Sequence, residues 1–188
     1  TLCTSVNEVV VHGIPSNEPL KEGDILSIDV GLLYGGFAAD MARTYPVGRV
    51  SEEAKRLIEV TEAAFWEGLK LMRPGYRTGD VAHRVQTFVE GHGFHVVREF
   101  VGHGVGREIH EDPQLPNYGR PGTGPRLRPG MVLALEPMVT LRPASVVILE
   151  DGWTASAGKG NLAAHYENTV ALTEEGPKLL TGALTAVR

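Results

Sequence analysis

The chain has 188 residues, of which 42% are hydrophobic and 22% charged, a composition typical of a globular protein and not of a disordered one. Its formal net charge of −5 and its pI of about 5.8 argue against binding to nucleic acid or to an anionic membrane. One cysteine excludes an internal disulfide, and no run of about 18 apolar residues predicts a membrane span. We expect a single, monomeric, cytoplasmic domain over residues 1–188, and the strand-like start at Thr1 suggests that its N-terminal part is incomplete.

Two β-rich runs come early in the chain, at residues 24–34 and 37–45, separated by two glycines. Glycine supplies the positive φ that a two-residue turn requires, so the sequence predicts an antiparallel hairpin. In that hairpin Gly31 faces Asp40, and Asp29 lies on the same face as Asp40. The Cα atoms of such diagonal neighbours are about 7–8 Å apart, which lets both carboxylates reach a shared metal ion.

Two helices are predicted next. From Ser51, a good N-cap, apolar residues recur every three or four positions up to Met72, and the sequence RPG at 73–75 ends the pattern. A second helix is predicted with Thr78 as its N-cap and with its end near Gly91.

The remaining chain alternates between β-rich runs and loops. A strand is predicted at 94–100 and a Pro/Gly-rich loop from Pro113 to Gly130; further strands are predicted at 131–141, 145–150 and 163–173. Because helices and strands are mixed without regular β-α-β alternation, we expect an α+β fold.

The segment 102–113, GHGVGREIHEDP, combines two histidines with three glycines and three acidic residues in a predicted loop. A glycine-rich phosphate cradle requires a helix after the glycines, whereas Pro113 and Pro116 follow here, so that interpretation is disfavoured. A metal site requires further ligands elsewhere in the chain, and oxygen ligands suit a hydrolytic metal ion.

Four carboxylates lie inside otherwise apolar strands, where burial is costly without a cation. They are Asp29, Asp40, Glu136 and Glu167. Any one of them is explained equally well by a solvent-facing side chain, but the four together favour a metal site.

Five segments, in this order and spacing, resemble type I methionine aminopeptidases. They are CTSVNEVVVHGIP at 3–15, IDVGLLYGGFAAD at 28–40, REFVGHGVGREIHEDP at 98–113, LEPMV at 135–139 and HYENTVALT at 165–173. The resemblance implies the pita-bread (creatinase/aminopeptidase) fold, a curved antiparallel sheet covered by helices. Members of the family carry several tens of residues before the position of Cys3, so the family's N-terminal flank is expected to be missing from this sequence.

The resemblance also implies two divalent metal ions, drawn from Co, Mn, Fe or Zn. Their implied ligands are Asp29, Asp40, His103, Glu136 and Glu167, with Asp40 and Glu167 shared by both ions. His103 and Glu136 would complete one site, and Asp29 the other. A weaker correspondence suggests a monovalent cation near Asn7 and Val9.

The implied reaction is release of the first methionine from newly made proteins with a small second residue, at the ribosome. Glu136 would move protons, His110 would donate to the oxyanion, and His12 would contact the scissile-bond nitrogen. The residues implied for substrate binding are His12, His110, Cys3, Ile109 and Trp153; His165, two residues before Glu167 and on the same strand face, is a further candidate for the pocket. Ile109 replaces an aromatic residue common in the family, and Trp153 is equally consistent with a role in the core.

Three alternatives remain at this stage. Prolidases and Xaa-Pro aminopeptidases share the fold and a similar ligand set, although VVVHGIP at 9–15 favours methionine aminopeptidase. The type II branch carries a large helical insertion between the equivalents of His110 and Glu136, where this chain is short. A non-enzymatic binding protein of the same fold would be expected to lose ligands, and all five are retained.

Overall fold

The computed structural model describes residues 2–182, which contain fourteen strands and two helices. Helices and antiparallel strands are mixed, and this confirms the expected α+β class. The first elements are β1 (Leu2–Val6), β2 (Val9–Val11), β3 (Ile25–Tyr34), β4 (Phe37–Pro46), α1 (Glu52–Leu69), α2 (Thr78–Gly91), β5 (His95–Val96) and β6 (Gly102–Gly104). The others are β7 (Glu111–Leu115), β8 (Val132–Leu135), β9 (Met138–Thr140), β10 (Val147–Ile148), β11 (Ala155–Ser156), β12 (Ala163–His165), β13 (Asn168–Thr173) and β14 (Gly176–Leu179).

Strands β3 and β4 form the predicted hairpin in the predicted register. Tyr34 pairs with Phe37 across the turn, and Gly31 pairs with Asp40. On its other edge β3 pairs with β1, where Cys3 lies opposite Asp29. The register therefore places Cys3, Asp29 and Asp40 in one region of a three-stranded sheet.

The runs at 131–141 and 163–173, predicted as one strand each, are each divided into two short strands. β8 and β13 pair within a five-stranded sheet, whereas β9 and β12 pair within a separate three-stranded sheet. Pro137, which has no backbone N–H to donate to a ladder, lies at the division of the first run. The prediction of unbroken strands was wrong at the positions of Glu136 and Glu167.

The start of α1 agrees with the sequence, whereas its end and the start of α2 differ. The Ser51 side chain accepts a hydrogen bond from the Ala54 N–H as the predicted N-cap, but the helix ends at Leu69, before Met72. In α2, Thr78 is already helical and Arg77 is the N-cap. The Arg77 N–H donates to the Asp80 carboxylate at 2.7 Å, which lets the helix begin one residue earlier.

Two further predictions need correction. The strand predicted at 94–100 is limited to His95–Val96, because the chain then leaves the sheet. The predicted loop contains β6 and the start of β7, which pair with each other. A Cβ at Gly102 would lie 2.9 Å from the Leu115 carbonyl oxygen of β7 and 2.4 Å from the Ala134 carbonyl oxygen of β8, so glycine permits the close approach of β6 to both strands.

The main hydrophobic core lies between the two helices and the sheet that contains β8 and β13. It includes Phe65 and Leu57 of α1, Val85 of α2 and Leu133 and Leu135 of β8, all fully buried. The charged side chains of the predicted site are gathered on the sheet strands and their connections. Within residues 2–182, no helix is long and apolar enough to cross a membrane.

Candidate metal centre

A cavity of about 210 Å³ lies where β3, β4, β6 and the two divided strand pairs meet. All five metal ligands implied by the sequence line it, together with His12, His110 and His165. Apolar side chains form part of its wall. They are Val11, Phe100, Val101 and Met138, none of which sequence reasoning had selected.

Asp29 and Asp40 both line the cavity from the β3–β4 hairpin, in the register that places them on the same face. The pKa of Asp29 is raised to about 6, mainly by burial; His165 nearby lowers it, and the Asp40 carboxylate adds to the rise. The backbone of Asp40 is fixed to β13, because its N–H donates to the Thr169 hydroxyl at 2.9 Å and its carbonyl accepts from the same group. This polar bridge joins the hairpin to the second half of the cavity wall.

Glu136 and Glu167 occupy the gap between the two divided strand pairs. Leu135 pairs with Asn168 on one side of the gap and Met138 with His165 on the other, a constant register that places Glu136 opposite Glu167. Burial raises the pKa of Glu136 to about 8 and that of Glu167 well above its ordinary value. After burial, the nearby carboxylate of Glu136 is the next largest cause that raises the pKa of Glu167.

Side chains from elsewhere satisfy the backbone carbonyls at this gap. The Asn117 amide donates to the Glu136 carbonyl at 2.9 Å, and the Arg43 guanidinium donates to the Glu167 carbonyl at 2.5 Å. Arg43 also lies 3.8 Å above the Tyr166 ring. Asn117 and Arg43 are supporting residues that the sequence analysis missed, because no local pattern links them to carboxylates so distant in the chain.

His103 presents one ring nitrogen to the carboxylates. Its Nδ1 is 2.9 Å from the Gly104 carbonyl, which only accepts, so Nδ1 carries the hydrogen and the Nε2 lone pair remains available. That Nε2 atom is 3.3 Å from Glu136 Oε1 and 4.0 Å from Asp40 Oδ2. A carbonyl partner of this kind fixes the tautomer of a metal-binding histidine.

Three groups of side chains could hold a metal ion, each with its donor atoms within 4.8 Å of one another. They are Asp40–His103–His110, Asp29–His165–Glu167 and His103–Glu136–Glu167. Glu167 Oε1 and both ring nitrogens of His165 are buried with no hydrogen-bond partner among the described residues. Four converging carboxylates with unpartnered buried donor atoms fit a divalent cation, and mixed oxygen and imidazole donors suit Mn, Fe, Co and Zn.

His12 is held between two aromatic rings beside the cavity. Its ring is stacked on Trp153 at 4.8 Å between centroids and meets the edge of Phe100 at 5.3 Å. Burial lowers the pKa of His12, which favours the neutral imidazole. The backbone of His12 has a positive φ of 63°, uncommon for a residue other than glycine and frequent at functional sites.

Three of the implied substrate residues, Cys3, Ile109 and Trp153, lie beside the central cavity and are not among its lining residues. Cys3 is opposite Asp29, and burial raises the pKa of its thiol. The Ile109 side chain packs over Gly31, where a Cβ would come within 2.4 Å of Ile109 Cδ1. Trp153 covers His12 but is 53% exposed, so a role in the core is excluded.

At Asn7, the side chain already has protein partners. Its amide donates to Asp24 Oδ1 at 2.8 Å, and its Oδ1 accepts from the Ile25 N–H at 3.0 Å. Val9 lies in β2, paired with Ser156. The monovalent cation near Asn7 and Val9 stays a prediction.

Comparison with known proteins agrees with the geometry. Residues 1–174 match the model of metallopeptidase family M24. A methionine aminopeptidase of Clostridium perfringens is 52% identical over 181 residues, which are 96% of this chain and 73% of that protein. The crystal structure of a Thermotoga maritima methionine aminopeptidase matches with a TM-score of 0.94 and 52% identity over 97% of this chain and 74% of that one.

A prolidase from Pyrococcus furiosus matches with a TM-score of 0.75 and 26% identity, over 97% of this chain and 49% of that one. The methionine aminopeptidases are therefore much more similar to this chain than the prolidase, and all share the pita-bread fold. The chain belongs to metallopeptidase family M24 and, within it, to the methionine aminopeptidases.

Proposed function

We propose that this protein is a dimetal aminopeptidase that hydrolyses the first peptide bond of polypeptides beginning with methionine followed by a small residue. The observation that carries the proposal is the convergence of five carboxylate and imidazole ligands on one cavity, in a chain 52% identical to methionine aminopeptidases. We take residues 1–188 as part of one catalytic domain.

Two divalent ions would be held by Asp29, Asp40, His103, Glu136 and Glu167. Asp40 and Glu167 would be shared, with His103 and Glu136 on one side and Asp29 on the other. When bound, such ions lower the pKa of a water molecule toward about 7 and polarise a carbonyl group. The unpartnered Glu167 Oε1 and the available His103 Nε2 support this assignment.

Glu136 is the proposed proton carrier. Its carboxylate lines the cavity, where it would take a proton from the attacking water and pass it to the leaving amine. His110, exposed and 4.2 Å from His103 between ring centroids, would donate a hydrogen bond to the carbonyl oxygen as it gains negative charge.

The substrate would be oriented by the side chains around His12. The neutral His12 imidazole would contact the nitrogen of the scissile bond, and its two aromatic neighbours restrict its orientation. Cys3, Ile109 and Trp153 would contact the methionine side chain, with His165 beside them. The apolar wall of Phe100 and Met138 supports an apolar first residue.

The finer aspects of cofactor and partner rest on family resemblance. They are the metals that occupy the two sites, a monovalent cation near Asn7 and Val9, and action on newly made proteins at the ribosome. The proposal also includes a monomeric state and a cytoplasmic location, the latter from the single cysteine and the lack of a long apolar run in the sequence. The acidic net charge of −5 gives no support for direct contact with ribosomal RNA.

The test is peptide hydrolysis after loading with Co²⁺ or Mn²⁺. Met-Ala-Ser should release methionine much faster than Met-Leu-Ser, and excess chelator should abolish both activities. A preference for Xaa-Pro dipeptides would favour a prolidase-type activity instead, and a metal-loaded protein that hydrolyses neither class would reject the enzymatic proposal.

A further inference from the structure

His165 is a buried histidine in the wall of the cavity whose position differs from that of an ordinary core residue. It is the last residue of β12 and is 1% exposed. Thr44 fixes its backbone on both sides: the Thr44 hydroxyl donates to the His165 carbonyl at 2.9 Å and accepts from the His165 N–H at 2.8 Å. The backbone that carries the ring is therefore fixed to Thr44 of β4.

Neither ring nitrogen of His165 has a hydrogen-bond partner within the part of the chain that the structure describes. A buried polar atom without a partner is costly, so such an atom calls for an explanation. The nearest acceptors of Nε2 are Glu136 Oε2 at 3.5 Å and Glu167 Oε2 at 3.8 Å. These separations are too long for effective hydrogen bonds.

The surroundings of His165 repeat those of His103. Glu136 faces His103 with Oε1 at 3.3 Å and His165 with Oε2 at 3.5 Å. Donor atoms about 2.0–2.2 Å from one ion are separated by roughly 3–3.5 Å, and His165 Nε2 lies only slightly farther than this, 3.8 Å, from Glu167 Oε2. Donor atoms of His165, Asp29 and Glu167 lie within 4.8 Å of one another.

We propose that His165 is a metal ligand that supplies an imidazole nitrogen to the ion held by Asp29 and Glu167. The inference rests on the proposed dimetal function and deepens it, since it replaces the substrate contact suggested for His165 by the sequence. Each of the two ions then has one histidine, His103 or His165. An imidazole donor makes the Asp29 site better suited to Zn, Co or Fe than an all-oxygen site, which favours Mg or Mn.

The test compares Co²⁺ binding by the full chain and three variants. His165→Gln keeps a polar side chain of similar length but removes the imidazole. His110→Ala removes a cavity histidine that is assigned no metal, and His83→Gln alters a histidine of α2 outside the cavity. Calorimetric titration gives the two affinities, and X-ray absorption of the protein loaded with two equivalents of Zn²⁺ reports the imidazole nitrogens per ion.

We expect His165→Gln to weaken one of the two Co²⁺ affinities at least about tenfold and to leave the other within about twofold. Loss of a residue that only hydrogen-bonds to a metal ligand already lowers metal affinity by about 10–100-fold, so loss of a ligand should cost at least as much. Imidazole scattering should average one ring per ion in the unaltered chain and fall in His165→Gln only. Unchanged affinities and scattering in this variant, with a change in KM alone, would overturn the inference and return His165 to substrate binding.

Failure of the wider proposal gives a different result. If the unaltered chain binds no divalent ion, both the dimetal function and the role of His165 are rejected. If it binds two ions while His165→Gln is indistinguishable from it, only the role of His165 is rejected. If circular dichroism shows that His165→Gln is unfolded, the number of imidazole ligands in the unaltered chain tests the role of His165. One imidazole for two ions would contradict that role, and two would support it.

Discussion

Glu136 and Glu167 face each other across the gap where two paired strands pass from one sheet into another. The β8–β13 pairing and the β9–β12 pairing have the same register. The two carboxylate residues lie in the unpaired positions between these two strand pairs. The Asn117 amide donates to the Glu136 carbonyl, whereas the backbone of Glu167 bonds to that of Ala42 in β4 and its carbonyl also accepts from Arg43. The interruption of the strands thus creates the space in which buried carboxylates can meet a cation.

Replacement of Asp40 should prevent loading of both metal ions, because Asp40 is assigned to both. Asp40→Ala should retain less than one equivalent after dialysis against a small excess of Co²⁺, whereas Asp29→Ala should retain about one, as measured by elemental analysis. Glu174→Ala, at an exposed acidic residue, is the matched control and should bind two. An Asp40→Ala variant that holds two equivalents contradicts the shared role.

His103 and His110 should respond differently to removal although they are seven residues apart with rings 4.2 Å apart. His103→Ala should lose metal, with partial recovery of activity in excess metal. His110→Ala should keep its metal and its KM while kcat falls about 10²–10³-fold, since one aligned oxyanion donor typically contributes that much. Equal loss of metal in the two variants would remove the distinction.

Metal affinity should rise with pH across the range set by the carboxyl groups of the cavity. Burial raises the pKa of Asp29 to about 6 and that of Glu136 to about 8 in the metal-free chain. A carboxyl group must be ionised to bind a metal ion, so metal binding displaces the protons of Asp29 and Glu136. This displacement costs less free energy as the pH rises through the two raised pKa values. Without metal, the same groups make the folded state less stable with rising pH, because the unfolded chain ionises first.

Calorimetric Co²⁺ titrations at several pH values, in buffers with different heats of ionisation, measure both the affinity and the protons released. Net proton release near neutral pH is the expected result. Binding with no proton release and no pH dependence would show that the metal-free carboxyl groups are already ionised.

Gly31 should be required for the placement of Ile109. A Cβ at position 31 would come within 2.4 Å of Ile109 Cδ1, so Gly31→Ala must displace that side chain. The KM for Met-Ala-Ser should rise, by roughly tenfold if the displacement costs about 1.4 kcal/mol of binding. Ile109→Val removes the clashing methyl group, and the double variant should resemble Ile109→Val alone; additive effects would show that the residues act independently.

The sequence predicted most of this site but not the strand breaks that shape it. Asp29 and Asp40 could be assigned to the same face of the hairpin because a two-residue turn fixes which residues of its two strands lie opposite each other. The structure has that register. The relation of Glu136 to Glu167 could not be found in this way, because a long connection separates their strands. The sequence predicts Phe100, two residues before Gly102, as a strand residue, whereas the chain has already left the sheet there and Phe100 lines the cavity.

The positions at which metal ions bind test the dimetal centre most directly. Crystals grown with Co²⁺ or Zn²⁺, from a preparation that releases methionine from Met-Ala-Ser, should give anomalous difference peaks at metal positions. We expect two peaks between Asp40 and Glu167, each about 2.0–2.2 Å from a carboxylate oxygen of both residues. Fewer than two peaks there in an active preparation, or peaks only elsewhere, would contradict the dimetal centre.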